Sequence, residues 1–172
     1  QYVYISQRNR IFAEDADVDA KDHLLNASYK TRLGQLTAYG YLLEEDNTAN
    51  KTIDTYGFSF TGSTKTGDTK ILYSAEFATQ TQATSTAEFD AEYLSLSAGA
   101  VLGGITAKVG YEVLGSDDGN FGFSTPLATL HKFNGWSDQF LGTPAQGLVD
   151  TNVSLAGKVL GGAWKAVYHT FE

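Results

Sequence analysis

The sequence divides into nine strand-like runs whose connections alternate between short and long. The short connections centre on residues 32–34, 63–68, 102–104 and 160–162, and the long ones span residues 13–22, 44–52, 79–88 and 115–146. In an antiparallel meander, odd and even connections lie at opposite ends of the sheet. One end of the sheet is therefore predicted to carry only tight turns and the other to carry long loops. This asymmetry is typical of a barrel with one confined rim and one exposed rim.

The composition favours strands along the whole chain. Its 172 residues suffice for one domain, which we expect to span residues 1–172 with a long loop at 115–146. The chain contains 10 Tyr, 10 Phe and 18 Gly but only 2 Pro, a composition typical of strands. No stretch repeats apolar residues at helical spacing for three turns. The sequence therefore predicts an all-β fold.

Apolar and polar residues alternate along most runs, as they do in a strand with two different faces. In the run at residues 69–80, one face carries Ile71, Tyr73, Ala75 and Phe77, and the other carries Lys70, Leu72, Ser74, Glu76, Ala78 and Gln80. In a soluble sandwich or small barrel the apolar face is the core. In a membrane barrel that face contacts lipid, and the polar face lines a hydrated lumen.

Two features favour the membrane interpretation. Many runs reach the roughly 9–11 residues that cross a bilayer at a tilt. Aromatic residues gather toward the strand ends, as expected at a bilayer interface. We therefore predict an antiparallel up-and-down transmembrane β-barrel meander. The alternative is a soluble or surface β-domain that binds a ligand or partner.

Two signals conflict over the run at residues 90–101. Leu94, Leu96 and Ala98 predict one outward face. Residues 98–104, however, are nearly repeated at 156–162, and the run before that second copy predicts the opposite phase. Either one assignment is wrong or a bulge shifts the register.

The number of runs constrains closure of the barrel. With nine antiparallel strands, the first and last run in the same direction and cannot complete an antiparallel ladder, whereas single-chain bacterial barrels have an even number. Strand patterns also reach both ends of the sequence. Three explanations remain: a strand is miscounted, the sheet is open, or the chain is part of a larger barrel. The strand patterns at both ends favour the last.

Four stretches resemble one family of membrane proteins. Residues 119–148 (GNFGFSTPLATLHKFNGWSDQFLGTPAQGL) look like the long loop of the alginate-export family of outer-membrane porins. Residues 4–12 (YISQRNRIF), 37–43 (TAYGYLL) and 167–171 (VYHTF) are similar to other parts of the same family. The resemblance covers essentially the whole chain and implies the C-terminal part of a bacterial outer-membrane barrel of about twice this strand count.

The resemblance also implies a function and a location. It implies a passive channel in the bacterial outer membrane for polar or anionic solutes, with oligo- or polysaccharide among the candidates. Outer-membrane lipid and lipopolysaccharide would be its surroundings. It does not imply alginate itself, because members of the family differ widely in substrate.

Basic side chains on the lumen phase are the first candidates for solute binding. They are Arg8, Arg10, Lys30, Lys70, Lys108, Lys158 and Lys165. Basic rows in a pore favour anions, and two guanidiniums on one face are suited to binding carboxylates bidentately. The alternative is that these charges pair across strands with Glu76, Glu112 and Asp150 and only keep the interior hydrated.

The long connection carries more aromatic side chains than a loop in water needs. The candidates for a constriction or rim loop are Phe123, His131, Phe133, Trp136 and Phe140, with Phe121 close by. We predict that the connection folds against the barrel or lumen. It would act either as a constriction whose rings stack on sugars or as a rim loop with its own small core.

Several other functions are disfavoured by the sequence. A net charge of −8 argues against nucleic acid as a partner, and the lack of Cys excludes a thiolate metal site. The three histidines show neither metal spacing nor a triad pattern, so we expect no metal, no cofactor and no enzymatic activity, and an enzyme built on a barrel is the third and least favoured hypothesis. Asp17 and Asp19 belong to an acidic connection that lacks the Gly and Glu of an EF-hand, so we expect a solvated outer loop.

Overall fold

The structure is a computed structural model that describes residues 1–9, 17–46, 51–128, 134, 135, 137 and 139–172. Its strands are β1 (Tyr2–Arg8), β2 (Val18–Lys30), β3 (Gly34–Glu44), β4 (Thr52–Thr66), β5 (Thr69–Ala83), β6 (Glu88–Leu102), β7 (Ile105–Leu114), β8 (Ser116–Asp117), β9 (Phe121–Gly122), β10 (Leu148–Val159) and β11 (Gly162–Phe171). None of the described residues forms a helix long and apolar enough to span a membrane.

Nine of these strands form one antiparallel meander, which confirms the predicted all-β class and topology. The order is β1-β2-β3-β4-β5-β6-β7-β10-β11, and the short strands β8 and β9 pair with each other inside the long connection. The sheet is not closed. Strands β1 and β11 are its two edges, and no ladder joins them within the described part of the chain.

The connections separate the sheet into two ends. At what we call the turn end, the connections are residues 31–33, 67–68, 103–104 and 160–161; at the loop end they are residues 9–17, 45–51, 84–87 and 115–147.

The prediction of a long connection at 79–88 is wrong. Strand β5 continues to Ala83 and β6 begins at Glu88, and the amide of Thr84 donates to the carbonyl of Ala87 at 2.8 Å. Polar residues on both faces of residues 79–82 hid the strand, because no hydrophobic alternation marks it.

The pairing register gives the sheet two distinct faces. Tyr39, Glu76, Glu112 and Asp150 share one side, which we call the inner face, because the ladders align them and side chains alternate along each strand. Among the described residues, every buried side chain of the nine-stranded sheet lies on this face and near the loop end. These are Ala20, Asp22, Leu43, Ile53, Thr55, Ala78, Gln80, Ala91, Leu114, Leu148 and Asp150.

The opposite side, the outer face, carries most of the exposed large apolar side chains. They include Tyr2, Tyr4, Leu25, Tyr29, Leu36, Tyr56, Phe58, Leu96, Val109, Tyr111, Val153, Leu155, Trp164 and Tyr168. Among Ile71, Tyr73, Ala75 and Phe77, Ala75 is exposed and the other three are half-buried. No second layer of the described residues covers this face.

The conflict over the phase of residues 90–101 is resolved by the turns. Leu94 and Leu96 lie on the outer face opposite Phe77 and Ala75, and Val153 and Leu155 of β10 lie on that face too. Strand β6 runs through Leu102 before its turn at residues 103–104, whereas β10 ends at Val159 before its turn at residues 160–161. Both phase assignments are therefore right. The turn falls one residue earlier in the second copy of the repeat, so equivalent residues of the two copies lie on opposite faces of the sheet.

Candidate functional site

The long connection folds back onto the inner face at the loop end. Phe121 stacks on Phe89 with ring centroids 6.1 Å apart, and Phe123 stacks on Tyr93 at 5.2 Å. Both connection residues are buried and belong to one cluster with Ala78, Ala91, Leu114 and Leu148. This part of the connection therefore closes the core of the sheet.

Gln80 joins the connection to the sheet through its side-chain amide. Its Oε1 accepts the amide of Ser124 at 2.7 Å and the Ser124 hydroxyl at 3.2 Å, and its Nε2 donates to the Ser124 carbonyl at 2.9 Å. The same Nε2 donates to Thr55 Oγ1 at 2.9 Å. Because Gln80 is only 2% exposed, these bonds satisfy polar groups that water does not reach.

Arg8 lies at the loop end of the inner face, where a register irregularity between Ile5 and Gln7 turns it inward. Its Nε and Nη2 donate to the two carboxylate oxygens of Asp22, each at 2.8 Å, and its Nη1 lies 3.5 Å from Glu45 Oε1. Asp22 also accepts the amide of Glu44 at 3.2 Å and is fully buried. The Arg8 guanidinium therefore forms a bidentate ion pair with Asp22. This is the kind of pairing across strands that was the alternative to solute binding.

The predicted lysines lie together at the opposite end of the inner face. Lys30, Lys70, Lys108, Lys158 and Lys165 are all exposed and all occupy inner-face positions near the turn end. Lys65, opposite Lys70 in the β4–β5 ladder, joins them. Sequence reasoning missed it because it fell in a predicted connection. None of these lysines forms an ion pair with another described residue.

A cavity of about 550 Å³ lies between the inner face and the connection. Glu76 and Glu112 both line it, together with Tyr39, Tyr93 and Phe123. The Tyr39 hydroxyl donates to Glu76 Oε1 at 2.6 Å, and the Tyr93 hydroxyl donates to Glu112 Oε1 at the same distance. Val3 of β1 and Leu114 of β7 also line this cavity, so the sheet curls around it.

Tyr39 is held over a glycine. A Cβ at residue 57, directly across the β3–β4 ladder, would overlap the Tyr39 ring, so the absence of a side chain at Gly57 makes room for it. The ring also stacks on Tyr41 at 4.9 Å. The glycine and the stacking partner together direct the Tyr39 hydroxyl toward Glu76.

A second cavity, of about 480 Å³, lies on the inner face over β6, β7, β10 and β11. Its lining includes Lys108, Lys165 and a histidine–aspartate pair that sequence reasoning missed. His169 Nδ1 lies 2.8 Å from Asp150 Oδ2, and the His169 ring stacks on Phe171 at 5.4 Å. The two residues are far apart in sequence, and only the β10–β11 register brings them together.

The remaining predicted site residues divide into two groups. Phe140 contacts Phe171, with ring centroids 4.8 Å apart, so it too packs toward the inner face. The predictions for Arg10, His131, Phe133 and Trp136 fall outside the described residues. Among the residues that the structure describes, no three histidine, aspartate or glutamate side chains are placed to hold a metal ion.

Comparison with known proteins gave no further assignment. No protein-family model matches this chain, and neither the curated proteins nor the solved structures contain a match. The proposed function therefore depends on the inner face and its two cavities.

Proposed function

We propose that this chain is a segment of a bacterial outer-membrane porin that lets polar or anionic solutes, including oligo- or polysaccharide, diffuse through its interior. The observation that carries the proposal is the contrast between the two faces. The outer face exposes a broad apolar, aromatic-rich surface, and large exposed apolar patches mark surfaces that leave water for lipid or a partner. The inner face carries polar and charged side chains, as a channel interior does.

The lysines support a preference for anions. Lys30, Lys70, Lys108, Lys158 and Lys165 line the turn end of the inner face. A row of ammonium groups with no ion-pair partner in the described part of the chain lowers the electrostatic barrier for anions and raises it for cations. The resemblance of residues 119–148 to the long loop of the alginate-export family agrees with this direction of selectivity.

Closure of the pore needs further strands. Because β1 and β11 run in the same direction, an odd number of additional strands would complete an antiparallel barrel. The two sheet edges are the places where those strands would pair. Edge strands otherwise leave backbone donors and acceptors available to any other chain.

Spin labels on neighbouring residues test the membrane assignment. The chain has no Cys, so single cysteines at Phe58 and Leu96 label the outer face, and cysteines at Ser59 and Ser95 label the inner face one residue away. In lipid vesicles we expect the outer labels to be relaxed by oxygen and the inner labels by a water-soluble nickel complex. Nickel access at Phe58 and Leu96 equal to that at the inner positions would contradict the proposal.

The soluble alternative has a separate test. A ligand-binding β-domain would stay folded and monodisperse in plain buffer, because its outer face would not require lipid. We expect instead that the chain needs detergent or lipid to remain dispersed. Size-exclusion chromatography with and without detergent distinguishes the two, and a folded monomer in plain buffer would refute the porin proposal.

A further inference from the structure

We propose that the cavity of about 550 Å³ beneath the long connection binds a linear diamine, with one ammonium at Glu76 and the other at Glu112. This site is distinct from the lysines at the turn end and does not depend on the channel proposal. Its volume lies within the range of roughly 300–1,000 Å³ that small-molecule sites occupy.

Four carboxylates lie on the inner face of the described strands; two of them have a basic side chain as partner among the described residues, and two do not. Asp22 pairs with Arg8, and Asp150 contacts His169. Glu76 receives a hydrogen bond from the hydroxyl of Tyr39, a neutral group. Glu112 receives two, from the Tyr93 hydroxyl at 2.6 Å and from Asn134 Nδ2 at 3.0 Å. These neutral donors orient the two carboxylates without neutralising them.

The surroundings of the two carboxylates favour an organic cation. No lysine or arginine is among the described residues that line the cavity. The aromatic side chains of Tyr39, Tyr41, Tyr93 and Phe123 do line it, and aromatic faces attract ammonium groups. A desolvated cation between a ring and a carboxylate is held by both contacts.

The spacing favours two positive charges on one ligand. Glu76, Ser95 and Glu112 lie in one row across β5, β6 and β7. The two glutamates are therefore two strand spacings apart at the backbone, roughly 10 Å. A flexible chain of four or five methylenes with an ammonium at each end can bridge carboxylates at this separation. Asp150 lies directly opposite Glu112, and this like-charge pair is a further reason for a cation to be favoured there.

Calorimetry with 1,4-diaminobutane tests the proposal in detergent-dispersed protein at low salt. We expect saturable binding by the intact chain and weaker binding of 1-aminobutane, which has only one ammonium. The double substitution E76Q/E112Q is expected to lower the affinity for the diamine at least tenfold. A tenfold loss corresponds to about 1.4 kcal/mol of binding free energy. The matched control is E88Q/E92Q, which removes the same charge from exposed outer-face positions of β6 and should leave the affinity unchanged.

Each possible result of this experiment either supports the diamine site or overturns it. No saturable binding by the intact, folded chain, or equal affinity in E76Q/E112Q and the parent, would overturn the proposal. If circular dichroism shows that the double variant does not fold, Y39F replaces it, because it removes only the hydroxyl that orients Glu76. A lowered diamine affinity in Y39F supports the site, and an unchanged affinity contradicts it. Failure of this test leaves the spin-label result for the outer face unaffected.

Discussion

The loop end and the turn end of the inner face are made by the same strands, yet they differ in burial and in charge partners. At the loop end, Ala78, Leu114 and Leu148 are buried beneath Phe121 and Phe123 of the long connection. At the turn end, Lys30, Lys70 and Lys158 of the same sheet are exposed. An open single-layer sheet does not cover its own face, and the cluster around Phe121 and Phe123 forms where the connection covers it.

The partners of the charged side chains also differ between the loop end and the turn end. Carboxylates occupy the loop-end and middle rows, where Arg8, Tyr39, Tyr93 and His169 donate to or contact them. The turn end has ammonium groups with no carboxylate partner among the described residues. A buried charge must be paired, whereas a hydrated one need not be. The comparison therefore predicts large effects of substitution at the loop end and small ones at the turn end.

The largest effect is expected for Arg8→Ala. The substitution leaves the fully buried carboxylate of Asp22 without its bidentate partner, which costs about 3–5 kcal/mol for a buried pair. Denaturant unfolding measures the loss. Lys30→Ala, at the exposed turn end of β2, is the matched control and should change the free energy of unfolding by less than about 0.5 kcal/mol.

A double variant sharpens this first prediction. In R8M/D22L both charges are replaced by apolar groups, and we expect most of the lost stability to return, since a buried ion pair is worth little over a packed apolar pair. Equal free energies of unfolding for R8A and K30A would show that the two ends of the face do not differ as proposed.

A smaller, more local effect is expected for Gln80→Ala. It leaves the amide and carbonyl of Ser124 without their partner, at a cost of about 1–3 kcal/mol. Hydrogen exchange at residues 121–128 should accelerate, while exchange in β2 and β3 stays unchanged. Gln82→Ala, two residues further on the same face, is the control; equal acceleration in both variants would mean that Gln80 does not hold the connection.

The sequence predicted the sheet because side-chain alternation is a local property. The nine strands, their order and the two faces all follow from patterns such as Ile71, Tyr73, Ala75 and Phe77. The end of β5 beyond Gln80 was missed because this local signal fails there. Thr81 and Gln82 are both polar, and Gln80 on the inner face is buried by hydrogen bonds to Thr55 and Ser124, so no apolar side chain marks either face of residues 79–82.

The candidate site depends on register, which the sequence does not encode locally. The meeting of His169 with Asp150 requires the β10–β11 turn to fall at residues 160–161. The Arg8–Asp22 pair requires the irregularity between Ile5 and Gln7, since uninterrupted alternation would put Arg8 on the face of Tyr2 and Tyr4. Neither of these two contacts could be predicted from composition or sequence spacing, although the residue types that form them are present in the sequence.

The smallest effect is expected at the turn end, where the near-repeat supplies its own control. Leu160 is the first residue of its turn, with φ 49° and a fully exposed side chain, whereas the matching Leu102 is the last residue of β6. A left-handed backbone is costly for leucine and tolerated by asparagine, so Leu160→Asn should stabilise the protein by about 0.5–1 kcal/mol. Leu102→Asn gains no such relief and loses strand propensity, so its free energy of unfolding should fall slightly. The sign difference between two chemically identical substitutions, measured by denaturant unfolding, reports the one-residue shift of the turn. Two changes of the same sign would contradict the register that places Lys158 on the inner face.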